Sequence, residues 1–203
     1  MFNVIRADQA GFETREQISY LFAEGFTQWL GFFSKDKEII AKAFAHMFVL
    51  DQFYIAVAEG GRVAGMASCS DGSAPSVKLA AKELRKHLGI YKGTLAGLFL
   101  KKEFEAVLAN PSPGKAAIGF VATAPEFRGQ GVAKDIIRHI VEQTPYHLFL
   151  IEMVADTNTA AMNLYQKLGF QTYKQEAVPP KRAQQIGIHY FVSFKYEKTS
   201  AKY

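Results

Sequence analysis

A glycine-rich turn occupies residues 128–133, with the sequence Arg-Gly-Gln-Gly-Val-Ala, between an apolar run and a segment with apolar residues at helical spacing. Gly129 and Gly131 leave no side chain over the turn, so its backbone amides can converge on an anion. The helix that follows adds the positive partial charge of its N-terminus. This pattern predicts a pyrophosphate site, although many strand-to-helix loops contain two glycines only because they pack tightly.

Two common nucleotide-binding motifs do not match this turn. A Walker A loop has a lysine and a hydroxyl residue after its last glycine, whereas Val132 and Ala133 follow Gly131 here. A dinucleotide fingerprint needs three glycines after the first strand of a repeated strand-helix unit. Phosphoryl transfer and hydride transfer therefore lose support.

A second motif follows the turn and consists of Asn158, Ala161, Tyr165 and Gly169-Phe170. The two motifs together resemble those of the GNAT superfamily of N-acetyltransferases, Arg/Gln-x-x-Gly-x-Gly/Ala and Asn-x-x-Ala-x-x-x-Tyr-x-x-x-Gly-Phe, in the same order. The close resemblance covers residues 116–173. It implies an α/β protein with the GNAT acyl-CoA N-acyltransferase fold, a mixed, mostly antiparallel sheet flanked by helices, in a single domain over residues 1–203.

The resemblance also implies acetyl-CoA as cosubstrate. The backbone of the strand before the turn would bind the pantetheine arm as if it were another strand, with a β-bulge that splays the sheet. The turn amides would bind the pyrophosphate, and a motif asparagine would contact the distal part of the cofactor. The residues expected to bind acetyl-CoA are Val121, Ala122, Thr123, Arg128, Gly129, Gln130, Gly131, Val132, Ala133, Lys134 and Asn158.

The chemistry of such a transfer needs a proton donor for the sulfur. An uncharged amine attacks the thioester carbonyl, an oxyanion develops and a thiolate leaves, so positioning and a few hydrogen-bond donors supply much of the acceleration. The resemblance implies that Tyr165 lies near the sulfur, where its phenol can act as the general acid. The alternative is a helix tyrosine packed in the core with Leu164 and Leu168.

The general base is less well defined, because residues 116–124 contain no acid in a strand where many relatives carry one. Glu152 is the candidate, since it interrupts an apolar run in which an unpaired buried carboxylate is costly. A place at a sheet edge or beside a basic residue is an equal alternative for it. Asp156 lies on the same face by strand alternation, or caps the next helix. Glu126 is expected to be solvated and His139 to be non-catalytic.

The acceptor amine is not identified by the motifs. Its site would be built from the first helices, a helical insertion at about residues 71–114 and the loop at residues 178–187. Side chains that can line it are His189, Tyr190, Trp29 and Phe33. Basic residues in and near the insertion favour an acceptor with an acidic group; they are Lys78, Lys82, Arg85, Lys86, Lys92, Lys101, Lys102 and Lys115.

Composition limits the class of protein. The chain has 203 residues, a formal net charge of +5 and one cysteine, Cys69, which excludes an intramolecular disulfide and a multi-cysteine metal site. We expect a cytoplasmic protein without a metal, because no apolar stretch matches a signal peptide or a membrane span. No basic stripe interleaved with aromatic residues indicates nucleic-acid binding. A homodimer is compatible with the sequence.

The periodicity of apolar residues predicts the order of elements. Strands are expected at residues 3–7, 53–59, 63–70, 115–124, 147–155, 171–178 and 188–198. Helices are expected from a capping box at Thr14 and Gln17 to about residue 30, and at residues 37–48, 77–88, 94–108, 131–143 and 159–168. Gly60-Gly61 predicts a tight turn between two antiparallel strands.

Three functions remain open at the level of sequence. The first is an N-acetyltransferase that acts on a primary amine of a small molecule, peptide or protein. The second is a catalytically silent acyl-CoA-binding sensor or interaction module of the same fold. The third is an α/β protein that binds another nucleotide, and Tyr165 and Asn158 at motif spacing count against it.

Overall fold

The computed structural model describes residues 2–198, apart from the side chains of Gln28 and Trp29. Seven strands are present: β1 Asn3–Arg6, β2 Phe53–Val57, β3 Val63–Ser70, β4 Lys115–Thr123, β5 Leu148–Ala155, β6 Gln171–Ala177 and β7 Tyr190–Glu197. They form one sheet in the order β1-β2-β3-β4-β5-β7-β6. Only the central pair, β4 and β5, is parallel, and every other neighbouring pair is antiparallel. The predicted mixed, mostly antiparallel sheet is confirmed.

Helices cover both faces of the sheet. They are α1 Arg15–Gly25, α2 Thr27–Leu30, α3 Lys37–Phe44, α4 Ala81–Leu88, α5 Ile90–Phe104, α6 Val132–Gln143, α7 Thr159–Lys167 and α8 Pro180–Ile186. Within the described part of the chain, none of these helices combines the length and apolarity needed to cross a bilayer.

The sheet separates two apolar cores. One core contains Phe22 of α1, Phe44 of α3 and Leu84 of α4, all fully buried. The other contains Ile136 and Ile140 of α6, together with residues of α7, β5 and β7. The apolar face predicted for α6 is thus the face that packs on the sheet, and the packing fixes the helix's first turn at one end of β4.

The capping box predicted at Thr14 and Gln17 is wrong. Thr14 has helical φ and ψ, and its hydroxyl donates to the carbonyl of Ala7 rather than capping α1. Gln17 instead accepts from the amide of Val63 at 2.8 Å and donates to the carbonyl of Gly61. Long-range hydrogen bonds to the β2–β3 turn have replaced the local cap. That turn is confirmed, since β2 and β3 pair antiparallel around it.

Helix boundaries in the first half differ from the prediction. The first helix is interrupted after Gly25, and the next continuous helix ends at Phe44 before a 3-10 turn. In the insertion, α4 begins only at Ala81, because Val77 forms a β-bridge with Phe48. The second helix of the insertion is shifted toward the N-terminus and covers Ile90–Phe104.

The loop expected at residues 178–187 contains a helix. Pro180 begins α8, where the missing amide and the fixed φ of proline favour a first turn. Gly187 ends it with a φ of +69°, and its amide donates to the carbonyl of Ala183. Both features are present in the sequence as a proline and a glycine at helix-terminal spacing.

Candidate active site

The two parallel strands in the middle of the sheet diverge. β4 and β5 pair only over Lys115–Ala117 with Leu148–Leu150. Beyond these residues each strand contains a bulge, marked by a positive φ of 49° at Phe120 and of 58° at Met153. The register with β3 shifts beside the first bulge, and the register with β7 shifts beside the second. We call the opening between residues 119–123 and 151–155 the strand gap.

The first bulge also reverses which face each side chain of β4 covers. Ala116 and Ile118 belong to the core under α6 and α7. Ala122 and Ala124, which simple alternation would place on the same face, belong instead to the core under α1 and α3. The extra residue at the bulge causes this change, and the strand bends away from β5 at that point.

Backbone groups of β4 face the strand gap. Ala124 donates to the carbonyl of Ala64, and Ala122 stands opposite Met66 in the register with β3. Consecutive residues of a strand direct their backbone groups to opposite sides, so Ala122 and Ala124 face β3. Val121 and Thr123 therefore direct their amides and carbonyls into the gap, where another extended chain can bind them.

The glycine turn lies directly after this strand edge. Gly129 and Gly131 have φ values of +77° and +85°, which L side chains rarely adopt, and a Cβ on either would meet open space. The first backbone bond of α6 runs from Asp135 to the carbonyl of Gly131. Within residues 2–198, the amides of Gly129, Gly131, Val132, Ala133 and Lys134 donate to no backbone or side-chain acceptor. They form a cluster of donors at the positive end of a 12-residue helix.

Side chains around the turn leave its positive character intact. Arg128 and Lys134 are exposed and form no ion pair with a described residue. Gln130 folds back and donates to the carbonyl of Glu126 at 2.8 Å. Glu126 is exposed, as expected, and lies 3.9 Å from Arg62. The surface over the turn can therefore attract an anionic group.

Tyr165 is buried in the core that also contains Ile151 and Val154 of β5. Its side chain is 5% exposed and its ring packs edge-on against Phe194, with centroids 5.6 Å apart. Burial raises the pKa of Tyr165 to about 12, so the phenol keeps its proton at neutral pH. Its hydroxyl makes no hydrogen bond with a described residue. Among the described side chains, His46 Nδ1 is the one polar atom that is both fully buried and without a hydrogen-bond partner. The Tyr165 hydroxyl is therefore not fully buried and keeps some accessible surface.

The two acids predicted on β5 have different surroundings. Glu152 is exposed at the second bulge and accepts from the hydroxyl of Tyr173 at 2.8 Å. Asp156 accepts from the amides of His189 and Tyr190, and this interaction secures the start of β7. The bulge breaks the alternation that was expected to place these acids on one face.

Asn158 is the residue that caps α7, a role suggested above for Asp156. Its side-chain oxygen accepts from the amide of Ala161 at 3.2 Å. Because its side chain is exposed at a helix N-terminus, the carboxamide nitrogen remains available to a ligand that crosses this end of the sheet.

A cavity of about 360 Å³ adjoins the strand gap on the face covered by α1 and α5. Both bulge residues line it, together with side chains from α5, α8, β7 and the junction between α1 and α2. The lining is Phe26, Leu100, Glu103, Phe104, Phe120, Met153, Arg182 and Phe191. None of these had been proposed from the sequence as an acceptor-site residue. A larger cavity of about 600 Å³ lies at the outer edge of the sheet, near Phe2 and Arg62.

Three of the four side chains predicted to line the acceptor site do not line this cavity. Phe33 is 6% exposed and belongs to the core, and His189 and Tyr190 are exposed without lining the cavity. Trp29 lies outside the described side chains. His139 lies at the far face of α6, where burial lowers its pKa and its ring is 5.8 Å from that of Tyr54. Phe191 was missed although it adjoins Tyr190, because alternation along β7 directs it to the opposite face.

Cys69 is expected to be unreactive in the folded protein. It is 7% exposed on β3, and burial raises the pKa of its thiol to about 12, so almost no thiolate exists at neutral pH. A disulfide reagent such as dithionitrobenzoate should titrate no thiol in native protein at pH 7.5 and one thiol per chain in denaturant. Rapid native labelling would contradict this burial.

The chain was compared with known families and structures. The family described as the Acetyltransferase (GNAT) family matches residues 16–170. A search of curated proteins found no match. An N-acetyltransferase from Staphylococcus aureus Mu50 superposes with a TM-score of 0.60 at 17% identity, over 96% of this chain and 100% of that one.

Two further solved structures share the architecture. A GCN5-related N-acetyltransferase from Kribbella flavida has a TM-score of 0.57 at 16% identity, over 97% of both chains. A structure described as histone acetyltransferase HPA2 and related acetyltransferase, from Corynebacterium glutamicum, has a TM-score of 0.58 at 17% identity and full coverage of both chains. At these identities the likeness concerns the fold alone.

Proposed function

The chain belongs to the GNAT acetyltransferase family, and from that premise we propose that it is an N-acetyltransferase that transfers the acetyl group of acetyl-CoA to a primary amine. The observation that carries the proposal is the strand gap, which joins the open amides of the glycine turn at one end to a cavity beside the bulges. A donor with a diphosphate and an extended arm fits the glycine turn and the strand gap. An acceptor fits the cavity.

The donor-binding residues match the chemical groups of acetyl-CoA. The amides of Gly129 and of residues 131–134 suit its pyrophosphate, and Arg128 and Lys134 add positive charge beside it. The backbone groups of Val121 and Thr123 suit the two amides of the pantetheine arm. Acetyl-CoA supplies an activated thioester, so the protein needs no metal or redox group for this transfer.

Tyr165 is proposed to protonate the sulfur as it leaves. Burial raises the pKa of the Tyr165 phenol to about 12, so the phenol keeps its proton at neutral pH. It can therefore donate that proton as negative charge develops on the leaving sulfur.

Two carboxylates are candidates to accept the proton of the amine. Glu152, predicted from the sequence, is adjacent to the bulge but does not line the cavity. Glu103 of α5 lines it, and makes no hydrogen bond or ion pair with a described residue. We assign the role of general base to Glu103, because its carboxylate oxygens are free to accept a hydrogen bond in the cavity where an amine would bind.

Turnover of acetyl-CoA with a panel of amines tests the proposal, with thiol release and the acetylated product both measured. We expect amine-dependent release from the wild type, and a fall in kcat of about 10²-fold in Glu103→Gln, in the range for a lost acid-base group. Glu197→Gln is a matched control, because Glu197 lies at the opposite end of β5 beside Leu148. A large fall in kcat in Glu152→Gln, with the kcat of Glu103→Gln unchanged, would show that Glu152 and not Glu103 is the general base.

The same measurement separates catalysis from silent binding. Acetyl-CoA binding without release on any amine would favour a sensor or interaction module. The presence of a single cysteine in the sequence supports a proposed location in the reducing cytoplasm.

A further inference from the structure

The cavity beside the strand gap has a mainly apolar wall. Four of its eight lining residues are phenylalanines, Phe26, Phe104, Phe120 and Phe191, and Leu100 and Met153 complete the apolar part. A volume of about 360 Å³ is near the lower end for small-molecule sites. A wall of this kind suits a compact ligand with an apolar, preferably planar, body, which can pack against ring faces and edges.

Two charged side chains of opposite sign complete the lining. Glu103 belongs to α5 and Arg182 to α8, on separate elements. Within the described residues they do not pair with each other or with any other charged group. A ligand that carries only positive charge would leave Arg182 against a cation, and one that carries only negative charge would do the same to Glu103. A ligand with one ammonium and one carboxylate can satisfy both.

We propose that the acceptor is a free α-amino acid with a large apolar or aromatic side chain, bound with its ammonium toward Glu103 and its carboxylate toward Arg182. This inference rests on the proposed acetyltransferase function and gives its acceptor class. It differs from the acidic acceptor expected from the basic insertion, because none of those lysines and arginines is among the residues that line the cavity. A peptide N-terminus lacks the adjacent carboxylate and is a poorer fit.

The reaction balances with the groups present. The ammonium loses one proton to Glu103, which passes it to solvent, and the nitrogen forms a bond to the acetyl carbon. The carbon–sulfur bond breaks, the sulfur takes a proton from Tyr165, and the second proton lost by the nitrogen restores the phenol through solvent. The product keeps its carboxylate but has no positive charge, so its attraction to Glu103 is lost and its release is favoured.

Binding and turnover with three related probes test the assignment. L-phenylalanine carries both charges, phenylalaninamide lacks the carboxylate, and 3-phenylpropanoate lacks the amine. We expect calorimetry in the presence of CoA to give L-phenylalanine about ten-fold tighter binding than either single-charge probe, since one charged contact at an exposed site contributes a modest factor. Thiol release should follow the same order for the two amines. Equal binding of L-phenylalanine and its amide would overturn the proposal.

Variants of α8 identify the source of the preference. Arg182→Met keeps the apolar stem of the side chain and removes its charge. We expect this variant to bind L-phenylalanine and phenylalaninamide with about equal affinity, so that the advantage of L-phenylalanine in binding is lost. Lys181→Met, at an exposed neighbour that does not line the cavity, should leave the advantage intact. A preference that survives in Arg182→Met would overturn the assignment.

Thiol release with other amines distinguishes a wrong acceptor class from a wrong proposed function. Rapid thiol release with a polyamine or a lysine-containing peptide, but not with L-phenylalanine, would retain the acetyltransferase and reject this acceptor class. Absence of release with every amine would reject the proposed function, and the acceptor assignment with it.

Discussion

Gly131→Glu is expected to abolish measurable acetyl-CoA binding while the protein remains folded. The substituted side chain would extend over the open amides of the turn and place a carboxylate where the pyrophosphate is proposed to bind. Two like charges about 4 Å apart repel by about 4 kcal/mol at the effective dielectric constant of a protein surface. This corresponds to a loss of affinity of about 10³-fold. Calorimetric titration of the variant with acetyl-CoA measures it.

The effect on folding should be small by comparison. Gly131 has a φ of +85°, so any side chain costs about 1–2 kcal/mol of strain, but a Cβ meets no atom within 4 Å. Gly11→Glu is a matched control, because Gly11 also has a positive φ, of +73°, and open space around it. Gly131→Ala separates strain from charge and should retain most of the affinity. Unchanged binding in Gly131→Glu would reject this pyrophosphate site.

Tyr165→Phe is expected to lower kcat by about 10²-fold or more and to leave acetyl-CoA affinity nearly unchanged. Only the proton donor is lost, and general acid catalysis commonly contributes 10²–10⁴-fold, as an order of magnitude. The hydroxyl has no partner within the described residues, so its removal leaves no buried group unsatisfied and should hardly change stability. Equal loss of affinity and rate would instead assign Tyr165 a structural role.

The pH dependence of Tyr165 has a defined sign. Its pKa is raised by burial from 10.0 to about 12, so the folded state retains a proton that the unfolded chain loses above pH 10. This stabilisation is complete below pH 10 and is lost as the pH rises through 12. Wild-type kcat should therefore show no loss from phenol ionisation up to about pH 11. Urea unfolding of Tyr165→Phe should be less sensitive to pH over this range than that of the wild type.

The motifs predicted the part of the site that depends on local geometry. A positive-φ glycine before a helix is a short-range requirement, and Gly129 and Gly131 have the backbone that the turn needs. The role proposed for Tyr165 could be inferred only from the resemblance, since its spacing on α7 equally suits a core residue. A bulge in β4 was expected, and Phe120 is the residue that forms it.

The cavity could not be predicted because its lining comes from distant segments. Phe26 lies between α1 and α2, Glu103 lies on α5 and Arg182 lies on α8. Only the packing of these elements beside the strand gap brings the three residues together. Met153 has a positive φ that no local rule assigns to a methionine. The sequence does contain signals for α8, since Pro180 and Gly187 lie at its two ends. These signals predict a helix that carries Arg182.

Amide hydrogen exchange in the presence and absence of acetyl-CoA can locate the bound donor on the backbone. We expect slower exchange on binding at Val121 and Thr123 and at residues 129–134, with little change around the cavity near Phe2 and Arg62. Tight binding with protection confined to that outer cavity, or no binding at all, would contradict the proposed donor site.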